Sequence, residues 1–276
     1  MMRPASASRM VVIILIALLF FLPIWWVTVS ALRPDEEIFR FLSPLSVWTL
    51  WPRDPTFANL TDLWSGPFRV AILNSVYVTA VTVVVGLVIS ATAAFALAVI
   101  EFPFRHGMFL VIVISFLIPF DAIAVPLLGI MRDLGLQNTY TGLILPGIGN
   151  GLAVFLLRQF FLGIPRELRE AAFVDGMGWH GVFWRIYVPL SGPPLVSAAL
   201  ILFVFQWQAY LWPLLIAPAP DYKVAAVAIA QFSNLYDPSL GLMFAAALFI
   251  ALVPMVVLTA LQRFYTASVA TSGGKE

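Results

Sequence analysis

Six runs of apolar residues, separated by polar stretches, dictate most of what this chain can become. A helix rising about 1.5 Å per residue needs about 20 residues to cross roughly 30 Å of hydrocarbon. The first run, Met10 to Leu32, meets that length without one charged residue. The others extend over Val70 to Ile100, Met108 to Met131, Thr141 to Phe161, Pro193 to Trp212 and Gly241 to Leu261. A chain of 276 residues that is 62% hydrophobic and 11% charged, with a mean hydropathy of +0.98, has more apolar surface than one soluble core can hide. The expectation is an all-α integral membrane protein of six transmembrane helices, read as one domain over residues 1–276, with both termini on one side.

Local composition refines each span. Val29-Ser30-Ala31 offers small residues at a possible signal cleavage point, but the apolar core before it exceeds the about 7 to 15 residues of a signal peptide, so a retained first helix is expected. From Arg33 to Arg69 the chain turns polar and Pro-rich around Trp48, Trp51, Phe57 and Trp64, which reads as an outer loop lying partly along the membrane interface. In the second span Gly86, Ser90, Ala94 and Ala98 recur every four residues, predicting a smooth face and a buried helix. Pro119 and Pro126 interrupt the third span and place Asp121 between them near mid-depth; the segment Pro146 to Gly151 weakens the fourth and brings Asn150 to a similar level. Pro193 and Pro194 suit a first helical turn, and the fifth span is expected to run to Trp212, where Pro213 disrupts it. Pro218 to Leu240 reads as a further outer loop.

Cationic residues orient the spans. Arg3, Arg9, Arg105, Arg158, Arg166, Arg169, Arg185, Arg263 and Lys275 fall on one side; Arg33, Arg40, Arg53, Arg69, Arg132 and Lys223 fall on the other, mostly in the long first loop, which counts less. The first side is therefore the cytoplasm, and both termini lie there.

Several classes of chemistry are excluded. With no cysteine and only His106 and His180, the chain offers no disulfide, no thiolate and no His-rich metal cluster. A net charge of +1, scattered over membrane ends, gives no basic patch for nucleic acid. Gly273-Gly274-Lys275 lacks the spacing of a phosphate-binding loop, and neither a Gly-x-Ser-x-Gly elbow nor a His-Glu-x-x-His helix occurs. No catalytic, cofactor or metal residue is assigned, and the chain's work is expected to be binding and movement.

One charged stretch stands out in the second half, Pro165 to Leu190, between two apolar runs. Pro165 suits a first helical position, Glu167 and Glu170 favour the positive helix end, and Gly176 can close the helix in a left-handed conformation. A short helix from about Pro165 to Asp175 follows, in which Ala171 and Ala172 allow close approach of another surface. Gly178 and Gly181 then let the chain turn before a second short helix around Val182 to Arg185. Composition alone permits an ordinary cytoplasmic connection. The spacing Glu170-Ala171-Ala172, three residues, Gly176, nine residues, Ile186, one residue, Val188-Pro189 resembles the Glu-Ala-Ala loop of binding-protein-dependent ABC importer permeases, with Val188 in place of the family's Leu. Leu134 to Pro146, Phe155 to Phe161 and Trp207-Gln208-Ala209-Tyr210-Leu211-Trp212-Pro213-Leu214 are similar to the sugar-type subfamily of maltose and glycerol-phosphate permeases. Gln208 and Ala209 depart from its Trp-Asn-Asp-Phe pattern, and so does the tail Ala270 to Lys275.

The resemblance implies a type I importer permease fold and a cytoplasmic elbow at about 165–190 that docks on an ATPase through Glu170, Ala171, Ala172, Asp175, Gly176, Ile186 and Pro189. It also implies a second, homologous permease subunit, two ATPase subunits that bind ATP and Mg, an external solute-binding protein, and a cell-membrane location. The residues themselves add a substrate path. Gln206 and Tyr210 are four apart on one helical face, Trp207 and Gln208 lie beside them, and Pro213 leaves the carbonyl of Ala209 without a donor, an arrangement suited to a hydroxyl-rich ligand. Tyr210 and Trp212 equally suit interfacial anchoring. Asp121 and Asn150 complete the expected path. An alternative makes Asp121 the ion site of a stand-alone secondary transporter or channel, and a third reading makes it a structural hydrogen-bonding group between helices.

Overall fold

A computed structural model describes residues 7–233 and 239–272. Arg3 and Lys275, used above for orientation, lie outside the described residues, as does the side chain of Arg263. No strand occurs among the described residues. The helices are α1 (Ala7–Ala31), α2 (Ala58–Ser65), α3 (Phe68–Val99), α4 (Arg105–Leu117), α5 (Phe120–Asp133), α6 (Tyr140–Ile144), α7 (Gly151–Leu162), α8 (Arg166–Val174), α9 (Trp179–Val182), α10 (Val188–Leu190), α11 (Gly192–Trp207), α12 (Leu211–Ile216), α13 (Ala225–Ala228) and α14 (Leu240–Ser272). Three helices are long and apolar enough to cross a membrane unaided, within α1, α3 and α14; three bent pairs bring the number to as many as six if each pair is one span. The bends are 100° between α4 and α5, 43° between the α6 segment and α7, and 86° between the α9–α10 segment and α11.

The chain divides into two compact units, Met1–Ile72 with Val227–Val253 and Leu73–Ala226 with Pro254–Glu276. In the first, the apolar residues of α1 from Met10 to Phe21 are exposed, as a lipid-facing helix requires, while Val29, Ser30 and Ala31 at its end are buried. The stretch expected as a loop after Arg33 is folded back onto that end. Arg33 is fully buried, donates from Nη2 to the carbonyls of Trp48, Thr49 and Trp51, and lies 5.5 Å from the Trp26 ring centroid. Burial pulls its pKa below the ordinary value, with Glu37 opposing. Asn59 donates to the carbonyls of Ala31 and Arg33 at 3.1 and 2.7 Å, satisfying groups that a helix end leaves without partners. Asp35 accepts from the Gly241 amide at 2.7 Å in the first turn of α14, where helix polarity favours a carboxylate.

In the second unit α3 is the centre post. Val78, Thr79, Thr82, Gly86, Ser90 and Ala94 are buried at intervals of one, three or four residues, and a Cβ on Gly86 would lie 3.2 Å from Leu202 Cδ2 and 3.3 Å from the Ile148 backbone. The small-residue face therefore is a close-packing face. Over its first part the opposite side is open, with Leu73, Val76, Tyr77, Val84 and Val88 exposed, whereas in its last turns that side is buried as well, at Ala91, Phe95 and Val99. Asn74 closes one end of the packing, donating to the carbonyls of Asp221 and Lys223 at 2.8 and 3.0 Å and accepting from the Tyr140 hydroxyl at 2.8 Å. The stretch after Pro218, expected as loop, folds into short turns around α13, whose Ala225 amide donates to Ser75 at 2.8 Å. The core around Leu157, Leu202, Val182 and Phe95 lies toward the other end of α3.

Two span expectations need correction. Pro119 does not merely interrupt the third span but separates α4 from α5 at a right-angle bend, because Ile118 before it is driven to an extended conformation. The fifth span stops at Trp207 rather than Trp212. Pro213 sits third in α12, so its missing amide falls among first-turn donors that have no helical acceptor, and the break is displaced to Gln208–Tyr210.

Candidate functional site

The elbow is built by a helix stop that conforms to the backbone chemistry of its residues. α8 begins after Pro165, which is the N-cap rather than the first helical residue, with extended ψ of 134°. It ends in paired bonds: the Met177 amide donates to the Ala172 carbonyl at 2.9 Å and the Gly176 amide to the Phe173 carbonyl at 3.0 Å. These are the two bonds of a Schellman motif, and Gly176 takes the left-handed φ of 78° that the motif demands. Met177 then packs against the same core cluster as Ala172.

The second arm starts earlier than the sequence indicated. Gly178 is the N-cap of α9, which begins at Trp179, continues through a π-helical turn over Phe183–Tyr187, and reaches Leu190 in α10. Gly178 has an ordinary φ of −82°, and Gly181 lies inside the helix, where a Cβ would collide with the Met177 side chain; neither makes a turn. Tertiary packing moves the start: Trp179 meets Phe173 edge-on at 4.8 Å and Phe95 at 6.3 Å. Phe95 also meets Phe183 and Tyr187 at 5.2 and 5.0 Å, so one aromatic side chain of α3 gathers the whole arm.

The expected coupling residues divide between two faces. Ala172 is buried and Ile186 half-buried against the core, whereas Glu170, Ala171, Asp175, Gly176 and Pro189 are exposed. The two alanines thus differ: Ala172 lets α8 approach its own chain, and only Ala171 is open to a second surface. Beside them Val174 is 89% exposed, with Leu168 and Trp184 also exposed. Glu170 has no hydrogen-bond or ion-pair partner among the described residues. Arg169, its neighbour, points the other way and donates to the Val99 carbonyl at 3.0 Å. Counting arginines for orientation missed this. For Arg105 and Arg158 the signal available was their place at the ends of apolar runs; Arg169, inside the charged stretch, carried no such signal.

The expected path residues are less gathered. Gln206 and Tyr210 do not share a helical face, since α11 ends at Trp207 and Tyr210 is the N-cap of α12. Trp207 is buried and stacked on Phe203 at 5.8 Å. Gln206 is half-buried, its Oε1 occupying the space where a Cβ on Gly147 would stand. Gln208 is exposed and, with Val204, Phe205 and Ala209, lines an open recess of about 310 Å³. Asp121 is exposed in the first turn of α5, and Asn150 accepts from the Ala153 amide at 3.0 Å as the N-cap of α7. No group of three or more His, Asp or Glu side chains gathers among the described residues, so a metal has no ready ligand set there.

This geometry can be set beside known proteins. The chain is 36% identical over 221 residues to the arabinooligosaccharides transport system permease protein AraQ of Halalkalibacterium halodurans, covering 80% of this chain and 76% of that one. It is 33% identical over 265 residues to the sn-glycerol-3-phosphate transport system permease protein UgpE of Yersinia pestis, covering 92% of each. Its fold matches a chain in the crystal structure of a bacterial ABC transporter involved in the import of the acidic polysaccharide alginate, with a TM-score of 0.79 and 20% identity over 96% of this chain and 99% of that one. The family model for the binding-protein-dependent transport system inner membrane component matches residues 86–271, which include all of the elbow and the second half of α3 that it packs against. The chain belongs to the family of inner-membrane components of binding-protein-dependent transport systems.

Proposed function

We propose that this chain is one of two permease subunits of an ATP-driven importer for a carbohydrate or polyol, and that the elbow is its coupling surface. The observation that carries the reading is the outward face of α8. A free carboxylate at Glu170, a bare Cβ at Ala171 and exposed Leu168 and Val174 stand on a helix whose other side is packed into the chain's own core. An exposed apolar patch rimmed by charge fits a partner surface. The partner is an ATPase subunit that supplies the ATP and Mg site; two of them act beneath this chain and a second, homologous permease. An external solute-binding protein delivers the ligand. Residues 1–276 act as one permease domain with both termini and the elbow in the cytoplasm.

Carbohydrate or polyol as cargo is supported by the relatives' names, AraQ and UgpE. Within this chain, Gln208 in its open recess and half-buried Gln206 are the residues offered to such a ligand; Trp207 supports them from within, and Tyr210, Asp121 and Asn150 border the route. Co-purification tests the assembly: the tagged chain brings down an ATPase and a second permease, and its isolation as a self-sufficient transporter refutes the reading. A sugar panel titrated into the cognate external protein identifies the cargo.

A further inference from the structure

Three arginines from three separate elements converge on the carboxyl end of α3. That end is a 32-residue helix's last turn, where carbonyls lack intrahelical donors and the macrodipole is negative. Arg158 of α7, 8% exposed, donates from Nε to the Leu97 carbonyl at 3.3 Å, with its guanidinium 3.9 Å from the Phe109 ring centroid. Arg105, at the start of α4, donates to the Ile100 carbonyl at 3.3 Å. Arg169 of α8 donates to the Val99 carbonyl at 3.0 Å. Arg105 and Arg158 belong to span helices. Arg169 alone belongs to the elbow.

We infer that Arg169 is the positioning residue that ties the elbow to α3, so that displacement of α8 by a docked ATPase passes to the α3 backbone through the Arg169–Val99 hydrogen bond. The inference rests on the coupling role proposed above. The one fully buried side chain of α8 is Ala172, which gives a neighbouring helix little to grip, and the ring of Phe173 reaches α3 only indirectly, through Trp179 and Phe95. Apolar contact of that kind slides, because dispersion has no direction. A charge-assisted hydrogen bond from a planar guanidinium has direction and is the firmest kind available. Its position is apt: Glu170 faces outward and the next residue back faces inward, so a push received at the first leaves through the second.

The test uses the assembled complex in proteoliposomes, with uptake of external solute and ATP hydrolysis measured together for the wild type, Arg169→Ala, Arg169→Lys and Glu170→Ala. The ATPase still co-purifies with Arg169→Ala, since that side chain faces away from it, but solute transported per ATP falls by about fivefold or more, the lower range for coupled sites. Arg169→Lys keeps the charge and recovers part of the ratio. A purely structural role lowers the amount of complex and leaves the ratio at the wild-type value, which overturns the inference. If Arg169→Ala does not assemble, Arg169→Lys decides: a ratio below wild type supports the tie, and a wild-type ratio overturns it. An unchanged ratio in both Arg169 variants alongside loss of transport in Glu170→Ala defeats the tie alone, whereas a wild-type chain that brings down no ATPase defeats the coupling reading beneath it.

Discussion

Gly176 isolates backbone conformation from contact, because its φ of 78° is left-handed while a Cβ built there meets nothing within 4 Å. Any loss on substitution within this chain therefore comes from the conformation itself. An L-residue held left-handed costs about 1–2 kcal/mol, and a β-branched one sits at the upper end or beyond it. Asn pays least, since its short polar side chain tolerates that region. The order of damage is then Asn, Ala, Val. A shift of 1–2 kcal/mol changes the ratio of formed to unformed elbow by a factor of about 5–30. The bonds from Gly176 and Met177 to the α8 carbonyls open together, releasing the placement of Glu170. Uptake in proteoliposomes should fall in that order while sugar binding by the external protein is untouched. Amide hydrogen exchange at Gly176 and Met177 should quicken in step. Wild-type exchange and uptake in Gly176→Val would refute the reasoning. Asn damaging uptake as much as Val, with exchange unchanged, would also refute it and place the demand for glycine on a docked surface that needs the space.

Other perturbations have defined outcomes. Glu170→Ala should lower transport about tenfold, the equivalent of one charge-assisted hydrogen bond of about 1.5 kcal/mol, without altering external sugar binding; undiminished uptake removes Glu170 from the mechanism. Gly142→Ala places a Cβ against the Leu136 backbone carbonyl, which cannot swing aside, and should cost at least about 1–3 kcal/mol in detergent melting, whereas Gly129→Ala, with nothing within 4 Å, should not lower the melting temperature. Asp121→Asn should preserve assembly and leave the pH profile of transport unchanged; a flattened profile would favour the ion-site alternative. Gln206→Ala combined with Gln208→Leu should slow uptake at limiting sugar while basal ATP hydrolysis persists, and a wild-type rate would remove both side chains from the route.

What the sequence determined by itself was the class of the molecule and the local grammar of its elbow. Apolar runs of bilayer length call for helices, and the described residues carry them as three long helices and three bent pairs. Glycine at 176 reads as a helix stop because few other residues take a left-handed φ, and small residues every four positions in α3 read as a packing face because nothing else lets backbones approach. These are short-range constraints, complete within a few residues. The tertiary structure decided what depends on neighbours distant in sequence. Phe95 sets the start of α9 from more than eighty residues away. The α11 break falls at Gln208 rather than at Pro213, which separates Gln206 from Tyr210. Whether Ala171 or Ala172 is free, and whether an arginine faces water or a helix end, follows from which side of a short helix meets α3, and a one-dimensional pattern of adjacent residues carries no term for that contact.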